Sequence, residues 1–384
     1  MDFSFDPDHI MLQSTLRDFS RRELAPDYPA RDRDEDLPRD VVAKLGAMGL
    51  LAPIVEPRFG GQSLDYVALG IAHEEIACAD FNAAYVLLLS ALVGSIIAER
   101  GDDRQRGAYL PPICRGEAVA ALAVTEPGAG SDAAHIRLTA RREGDSYILN
   151  GEKSSISFAS WADTALVMAR TGTLDDGARG VSAFYVDLGS AGISRTRFKD
   201  LGSRAVGRGQ IFFDSVRVPA DSRIGSEGAG FVQVMQGFDF SRALIGLMCL
   251  GAARQSLEET CEYVKERQAF GGALARFEGV SFPLAESAVK LRAARLLCYE
   301  ALWLRDSGQP HGWLAAGCKW WAPELSADII HQCLLLHGHL GYSTDLAHQQ
   351  RLRDVIGLEI GDGTAQIMKS LVARELIGKA ARPY

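Results

Sequence analysis

The chain changes its hydrophobic rhythm twice. Over the first 116 residues apolar positions recur at helical spacing: Met11, Leu12, Leu16, Phe19 and Leu24 mark one amphipathic stretch, and Val41, Val42, Leu45 and Met48 another. Arg58-Phe59-Gly60-Gly61 reads as a turn, and residues 66–100 are apolar on nearly all sides, which predicts a helix or helix pair buried at a core or pocket wall. Near Gly116 the texture becomes short apolar or alternating runs (118–124, 136–142, 147–149, 164–170, 181–188, 210–216) separated by Gly, Asp and Asn. Strands of that length and spacing predict a small β-barrel or sandwich. Pro219, Gly225, Gly228 and Gly230 then punctuate a linker. Helical spacing returns over 231–268, 282–307 and 315–336, with a last helix after Gly363, and Pro323 is expected to kink or begin one of these. The expected class is α+β with several domains: an N-terminal helical domain (1–117), a middle β-barrel (118–228) and a C-terminal helical bundle of four-helix type (229–384).

Composition narrows this little. With 384 residues, 47% hydrophobic and 23% charged, the chain is an ordinary globular protein with room for two or three domains. No run is expected to reach the ~20 apolar residues that span a bilayer. Met1-Asp2-Phe3-Ser4-Phe5-Asp6 lacks the basic and apolar regions of a secretory signal. A net charge of −8 with no basic cluster argues against a nucleic-acid binder. The 7 cysteines form no C-x-x-C pair and lie mostly in apolar or helical stretches, as buried free thiols do; with the N-terminus, they point to the cytoplasm.

One segment is dense in chemistry: Leu122-Ala123-Val124-Thr125-Glu126-Pro127-Gly128-Ala129-Gly130-Ser131-Asp132. It reads as a strand ending in a Pro/Gly turn that presents hydroxyls and free backbone N–H groups, able to hold a phosphate or a flavin edge, or no ligand at all. It also closely resembles the signature of acyl-CoA dehydrogenases. Further resemblances follow in the same order. They are Asn150-Gly151-Glu152-Lys153 with Ile156-Ser157, then Leu201-Gly202-Ser203-Arg204 leading to 212–219, then Phe238-Asp239-Phe240-Ser241-Arg242. After these come Glu266-Arg267-Gln268-Ala269-Phe270-Gly271, His337-Gly338-His339-Leu340-Gly341-Tyr342, Arg353-Asp354, and Gly361-Asp362-Gly363-Thr364-Ala365-Gln366-Ile367. Together they cover nearly the whole chain.

The resemblance implies an FAD-dependent enzyme that removes an α-proton and a β-hydride from a thioester-bound acyl group, the hydride going to the flavin. Asp362 stands at the base position, where most relatives carry Glu; the base site of a second subgroup is occupied by Ser241, which cannot serve. Asp362 could instead merely cap the helix beginning near Gly363. The thioester oxygen is expected to receive hydrogen bonds from the flavin ribityl 2′-hydroxyl and the backbone N–H of the base residue, where enolate charge develops. Cofactor contacts are expected from Ala123, Thr125, Ser131, Ile156, Ser157, Thr364 and Gln366. Across a subunit interface they are expected from Arg267, Phe270, His337, Gly338 and Gly341. Substrate contacts are expected from Ser131, Asp239, Arg242 and Gly363, although Asp239 and Arg242 could equally be a solvated pair one turn apart. Ser155 stands where the family often has Trp, and Leu335 where Gln is frequent. The H-x-H of His337 and His339 has no third ligand evident in sequence, so no metal is expected.

The segment 83–92 corresponds to the family's acyl wall and contains no Arg or Lys, which disfavours a dicarboxylic substrate. Some relatives that act on alicyclic thioesters also use Asp, which makes an apolar, branched or cyclic acyl group, such as cyclohexane-carboxyl-CoA, the expected substrate. The resemblance further implies a homo-oligomer, expected to be a tetramer, with electron-transfer flavoprotein as electron acceptor. The alternatives are a flavin oxidase akin to nitroalkane oxidase, which shares this fold and uses Asp, and a non-catalytic flavoprotein of the same fold.

Overall fold

The computed structural model describes residues 4–381, so the first three residues of the N-terminal stretch Met1–Asp6 lie outside the described residues. Six helices come first: α1 (Pro7–Glu23), α2 (Tyr28–Asp34), α3 (Arg39–Ala47), α4 (Tyr66–Ala79), α5 (Phe81–Arg100) and α6 (Asp103–Cys114). Carboxylates start most of them. Asp6, Asp65, Asp80 and Asp102 each accept a first-turn backbone N–H, which satisfies donors that a helix start otherwise leaves unpaired. Asp80 also divides the apolar stretch 66–100 into the pair α4 and α5, capping α5 through Asn82 N and Ala83 N while Arg31 Nη1 donates to it at 2.6 Å.

α5 corrects the expectation about spanning segments. It is 20 residues long and, by length and composition, apolar enough to cross a membrane. The reason it is so apolar lies in the fold: its most apolar window is 89% buried, and α4, α6, α7 (Gly230–Glu266) and β1 (Ala120–Ala123) pack around it.

The remaining strands of the middle part are β2 (Thr139–Glu143), β3 (Ser146–Ile156), β4 (Thr164–Arg170), β5 (Val181–Asp187), β6 (Ile193–Arg197), β7 (Gly209–Pro219) and β8 (Arg223–Ile224). They form one eight-stranded sheet in the order β6-β7-β3-β2-β4-β5-β8, with β1 paired in parallel to β4. β6 was not expected. Its residues are nearly all exposed and polar, as on an edge strand, and give no alternation to detect. β3 is longer than the expected 147–149 because it continues through two irregularities of register against β7. Gly151 sits there at φ 134, where a Cβ would lie 2.9 Å from Leu138 Cα.

A two-stranded hairpin, β9 (Gln268–Ala269) and β10 (Gly272–Ala273), leads into α8 (Glu278–Asp306), α9 (Gly312–Leu336), α10 (His339–Tyr342), α11 (His348–Ile360) and α12 (Ala365–Ile377). α7, α8, α9 and α12 match the expected helices to within a few residues. Pro323 lies inside α9, which continues through it and does not begin there. α11 was missed, because the face it buries is mostly polar: His348, Gln350, Arg351 and Asp354 are buried beside Val355 and Leu358.

Candidate functional site

A cavity of about 510 Å³ opens where the sheet meets α5, α7, α11 and the start of α12. The turn after β1 supplies Val124, Thr125, Gly130 and Ser131, and the end of β3 supplies Ser155 and Ser157. The register shift between Lys153 and Ile156 puts Ser155 at φ 59, and such a bulge re-aims side chains out of the pleat. Asp200, Leu201, Ser203 and Arg208 form another wall, while the helices contribute Tyr85, Phe238, Arg242, Ile360 and Met368 and the turn between α11 and α12 contributes Asp362 and Thr364.

The turn bearing Thr125 rests on a buried ion pair. Lys153 Nζ donates to Glu126 Oε1 and to Val124 O, each at 2.8 Å, and the Glu126 carboxylate also accepts Arg137 N at 2.6 Å and Leu138 N at 2.9 Å. Burial pulls Lys153 down to about 8, against the pull of Glu126. Both residues lie inside the quoted motifs, yet neither was assigned a role from the sequence.

Asp362 occupies the turn between α11 and α12 with φ 56, followed by Gly363 at φ 105. Asp tolerates this left-handed region better than most residues, and a Cβ on Gly363 would meet Met368 Cε at 2.6 Å. The cap of α12 is not Asp362 but Thr364, whose hydroxyl accepts from Ile367 N at 3.4 Å. Burial raises the Asp362 carboxyl above the ordinary carboxylate value, with Lys319 and then Arg242 pulling the other way. No hydrogen bond or ion pair among the described residues holds that carboxylate. The other lining carboxylate, Asp200, is engaged by Arg208 at 2.9 and 2.6 Å.

Arg242 Nη1 lies 3.2 Å from Asp239 Oδ1; the guanidinium is buried, while the Asp239 side chain stays 39% exposed, so only the arginine half of the pair is withdrawn from solvent. Its Nε has no partner. Ser241 is fully buried. Of the expected acyl wall 83–92, only Tyr85 lines the cavity. The others pack into the core, because a helix in the middle of a bundle presents one narrow face to any cavity. The cavity does hold arginines, but each is already paired: Arg242 with Asp239, Arg208 with Asp200, and Arg353 with Asp32 at 2.6 Å.

Thr125, Ser131, Ser157, Arg242, Asp362, Gly363 and Thr364 therefore share one cavity, and Ala123 and Ile156 are buried at the ends of the strands that feed it. Arg267, Phe270, His337, Gly338, Gly341 and Gln366 do not line it. Arg267 ends α7, and Phe270 is 97% exposed on the hairpin. His337 is buried, stacked on Tyr263 at 4.1 Å and close to His348. The row of hydroxyls against apolar walls, with open space beside Gly128 and Gly130, fits the polar edge and flat ring of a flavin.

Models of the N-terminal, middle and C-terminal domains of acyl-CoA dehydrogenases match residues 6–117, 121–216 and 228–377. The human mitochondrial short-chain specific acyl-CoA dehydrogenase is 36% identical over 372 residues, 96% of this chain and 90% of its own length. A 3-(aryl)acrylate reductase of Clostridium sporogenes is 32% identical over 97% of this chain and 99% of its own. The solved butyryl-CoA dehydrogenase of Megasphaera elsdenii superposes with a TM-score of 0.95 at 28% identity, covering 98% of this chain and 100% of that one. The chain belongs to the acyl-CoA dehydrogenase family, the FAD-dependent oxidoreductases that act on the CH–CH bond of acyl-CoA thioesters.

Proposed function

We propose that Asp362 removes the α-proton of the acyl thioester and that the acyl group is apolar and branched or cyclic, of the cyclohexane-carboxyl kind. The observation that carries the reading is that Asp362 is the lining carboxylate left without a partner. A general base must be free to approach the proton it takes, and burial that raises its pKa brings it closer to working pH. Asp is one methylene shorter than Glu, so the α-carbon must come closer to the turn, and the cavity must accept a thicker acyl group. Arginines already paired with carboxylates support an uncharged acyl group.

Thr125, Ser131, Ser157, Thr364 and the backbone at Ala123 and Ile156 would hold FAD, which when bound supplies the hydride acceptor. Ser131, Gly363, Asp239 and Arg242 would hold the thioester and its CoA. The orphaned Arg242 Nε, in a buried side chain, supports an anionic or carbonyl partner there. Arg267, Phe270, His337, Gly338, Gly341 and Gln366 would serve a neighbour's cofactor in a homotetramer. Their place away from the cavity, and the exposure of Phe270, Leu335, Tyr342, Leu376 and Ile377, support a covered face. Electron-transfer flavoprotein is the proposed acceptor. The cytoplasm is the proposed compartment, since all 7 cysteines are free thiols, nearly all of them buried.

The test is Asp362→Asn, which preserves size but cannot take a proton at neutral pH. General-base catalysis is worth about 10²–10⁴-fold, so flavin reduction by the best acyl-CoA of a panel should slow by that order while FAD and substrate still bind. A variant reducing flavin at the wild-type rate would end the proposal.

A further inference from the structure

Lys319 lies about two turns into α9, a lone cation in the apolar run Ala315-Ala316-Gly317-Cys318-Lys319-Trp320-Trp321-Ala322, and it is 1% exposed. A buried ammonium is costly unless its donors are met. Here they are met by carbonyls: Nζ donates to Leu358 O at 2.5 Å and to Gly363 O at 3.0 Å. Among the described residues no carboxylate forms an ion pair with it. The two acceptors bracket the turn that carries Asp362, one before it in α11 and one immediately after it. That turn contains consecutive residues at positive φ, Asp362 at 56° and Gly363 at 105°, a bend outside the default conformations of an L-residue that contacts at both ends help to fix.

We propose that Lys319 is the positioning residue of the catalytic base: its ammonium clamps both ends of the turn that presents Asp362 to the acyl α-carbon. The proposal rests on the reading of Asp362 as the base. A neutral side chain could fill the same volume in α9, so the clamp is what the charge and its donors add. The ammonium also acts on the base electrostatically. The charged and titratable groups that face Asp362 are Lys319 from α9, Arg242 from α7 and Tyr85 from α5, and those facing Lys319 include Cys249, Arg242 and Glu359. Of the cations, Lys319 has the larger effect in holding the Asp362 carboxyl down against burial. Only the ionised carboxylate can take the α-proton, so losing Lys319 raises the base's pKa and moves the acidic limb of the rate profile to higher pH.

The test compares wild type, Lys319→Met, Lys319→Gln and Asp362→Asn as FAD-loaded protein. The first readout is exchange of the substrate α-proton into D2O, followed by NMR across pH. Its probe is the acyl-CoA that wild type exchanges fastest in a panel from acetyl-CoA to cyclohexane-carboxyl-CoA. The second is backbone hydrogen exchange of the peptide spanning 355–366. Lys319→Met should exchange the α-proton up to about 100-fold more slowly, the scale of a base displaced by about 1 Å. Its acidic limb should move to higher pH, and the turn should lose protection. Lys319→Gln, which keeps a donor and the fold but no charge, should still move the limb. A uniform loss at all pH values with the limb unmoved, or a wild-type rate, overturns the proposal. Wild-type exchange by Asp362→Asn would instead overturn the base assignment itself.

Discussion

Lys153→Met tests whether the floor of the cofactor turn is held by charge. Lys153 is 0% and Glu126 8% exposed, and their 2.8 Å contact is the carboxylate's only ion pair among the described residues. Removing one partner of such a pair typically costs about 3–5 kcal/mol, because the other charge stays buried without compensation. The carboxylate keeps its bonds from Arg137 N and Leu138 N, which puts the expected loss near the lower end, about 3 kcal/mol. Glu126→Gln should cost about 2 kcal/mol: the ammonium keeps Val124 O but loses its counter-charge, and one backbone donor loses its acceptor. The double variant buries no charge, so its loss should be smaller than the sum of the singles by about 2–3 kcal/mol. The assay is guanidinium unfolding with flavin fluorescence as a second probe, at equal protein and FAD concentration, since bound ligand shifts apparent stability. Because Val124 and Thr125 line the cavity directly above the pair, both singles should also release FAD at lower temperature than wild type. pH adds a signed check. The folded ammonium titrates at about 8 against an ordinary 10.5, so between these values the unfolded chain binds more protons and this group's contribution to stability rises with pH. Lys153→Met should abolish that rise. Additive losses in the double variant would refute the reasoning.

If Arg267 serves a neighbour's FAD as proposed, Arg267→Ala should weaken FAD retention more than fold stability, by removing a charge-assisted bond to the cofactor, and full flavin occupancy in the purified variant would count against that role. Sedimentation of FAD-saturated protein should show a tetramer or at least a dimer; a monomer would contradict the proposed contacts across subunits. Asp354 is pushed up to about 7 by burial, opposed by the Tyr28 hydroxyl at 2.6 Å and by Ser203 N. It binds its proton more tightly folded than unfolded, so its contribution to stability falls as pH rises from about 4 to about 7. Asp354→Asn should therefore gain on wild type between pH 5 and pH 8 in parallel denaturation curves, and a constant difference would exclude the linkage.

Much of this architecture is local information. α7, α8, α9 and α12 announce themselves by helical spacing, and β4 by an unbroken apolar run, because a buried face must be apolar wherever nothing polar can answer it. The stretch around Thr125 and the turn around Asp362 stood out in the sequence for another reason: each is a contiguous segment, and the structure brings both to one cavity. α11 was not legible, since most of its buried face is polar and makes sense only through distant partners. Arg351 pairs with Glu259 of α7 at 2.6 Å, and Asp354 accepts from Tyr28 of α2. Of the run 83–92 expected at the acyl wall, Tyr85 alone reaches the cavity, for a related reason. An apolar run shows that a helix is buried, but not whether its neighbour is a cavity or another helix. Tertiary structure alone decided that Tyr85 is the member of that run facing the cavity, that the 200–208 loop forms the opposite wall, and that Lys319 reaches across to Leu358 and Gly363. Periodicity records the demand for burial along one segment. Pairing between segments far apart in sequence is set by how the helices and the sheet close on one another, and no local pattern encodes it.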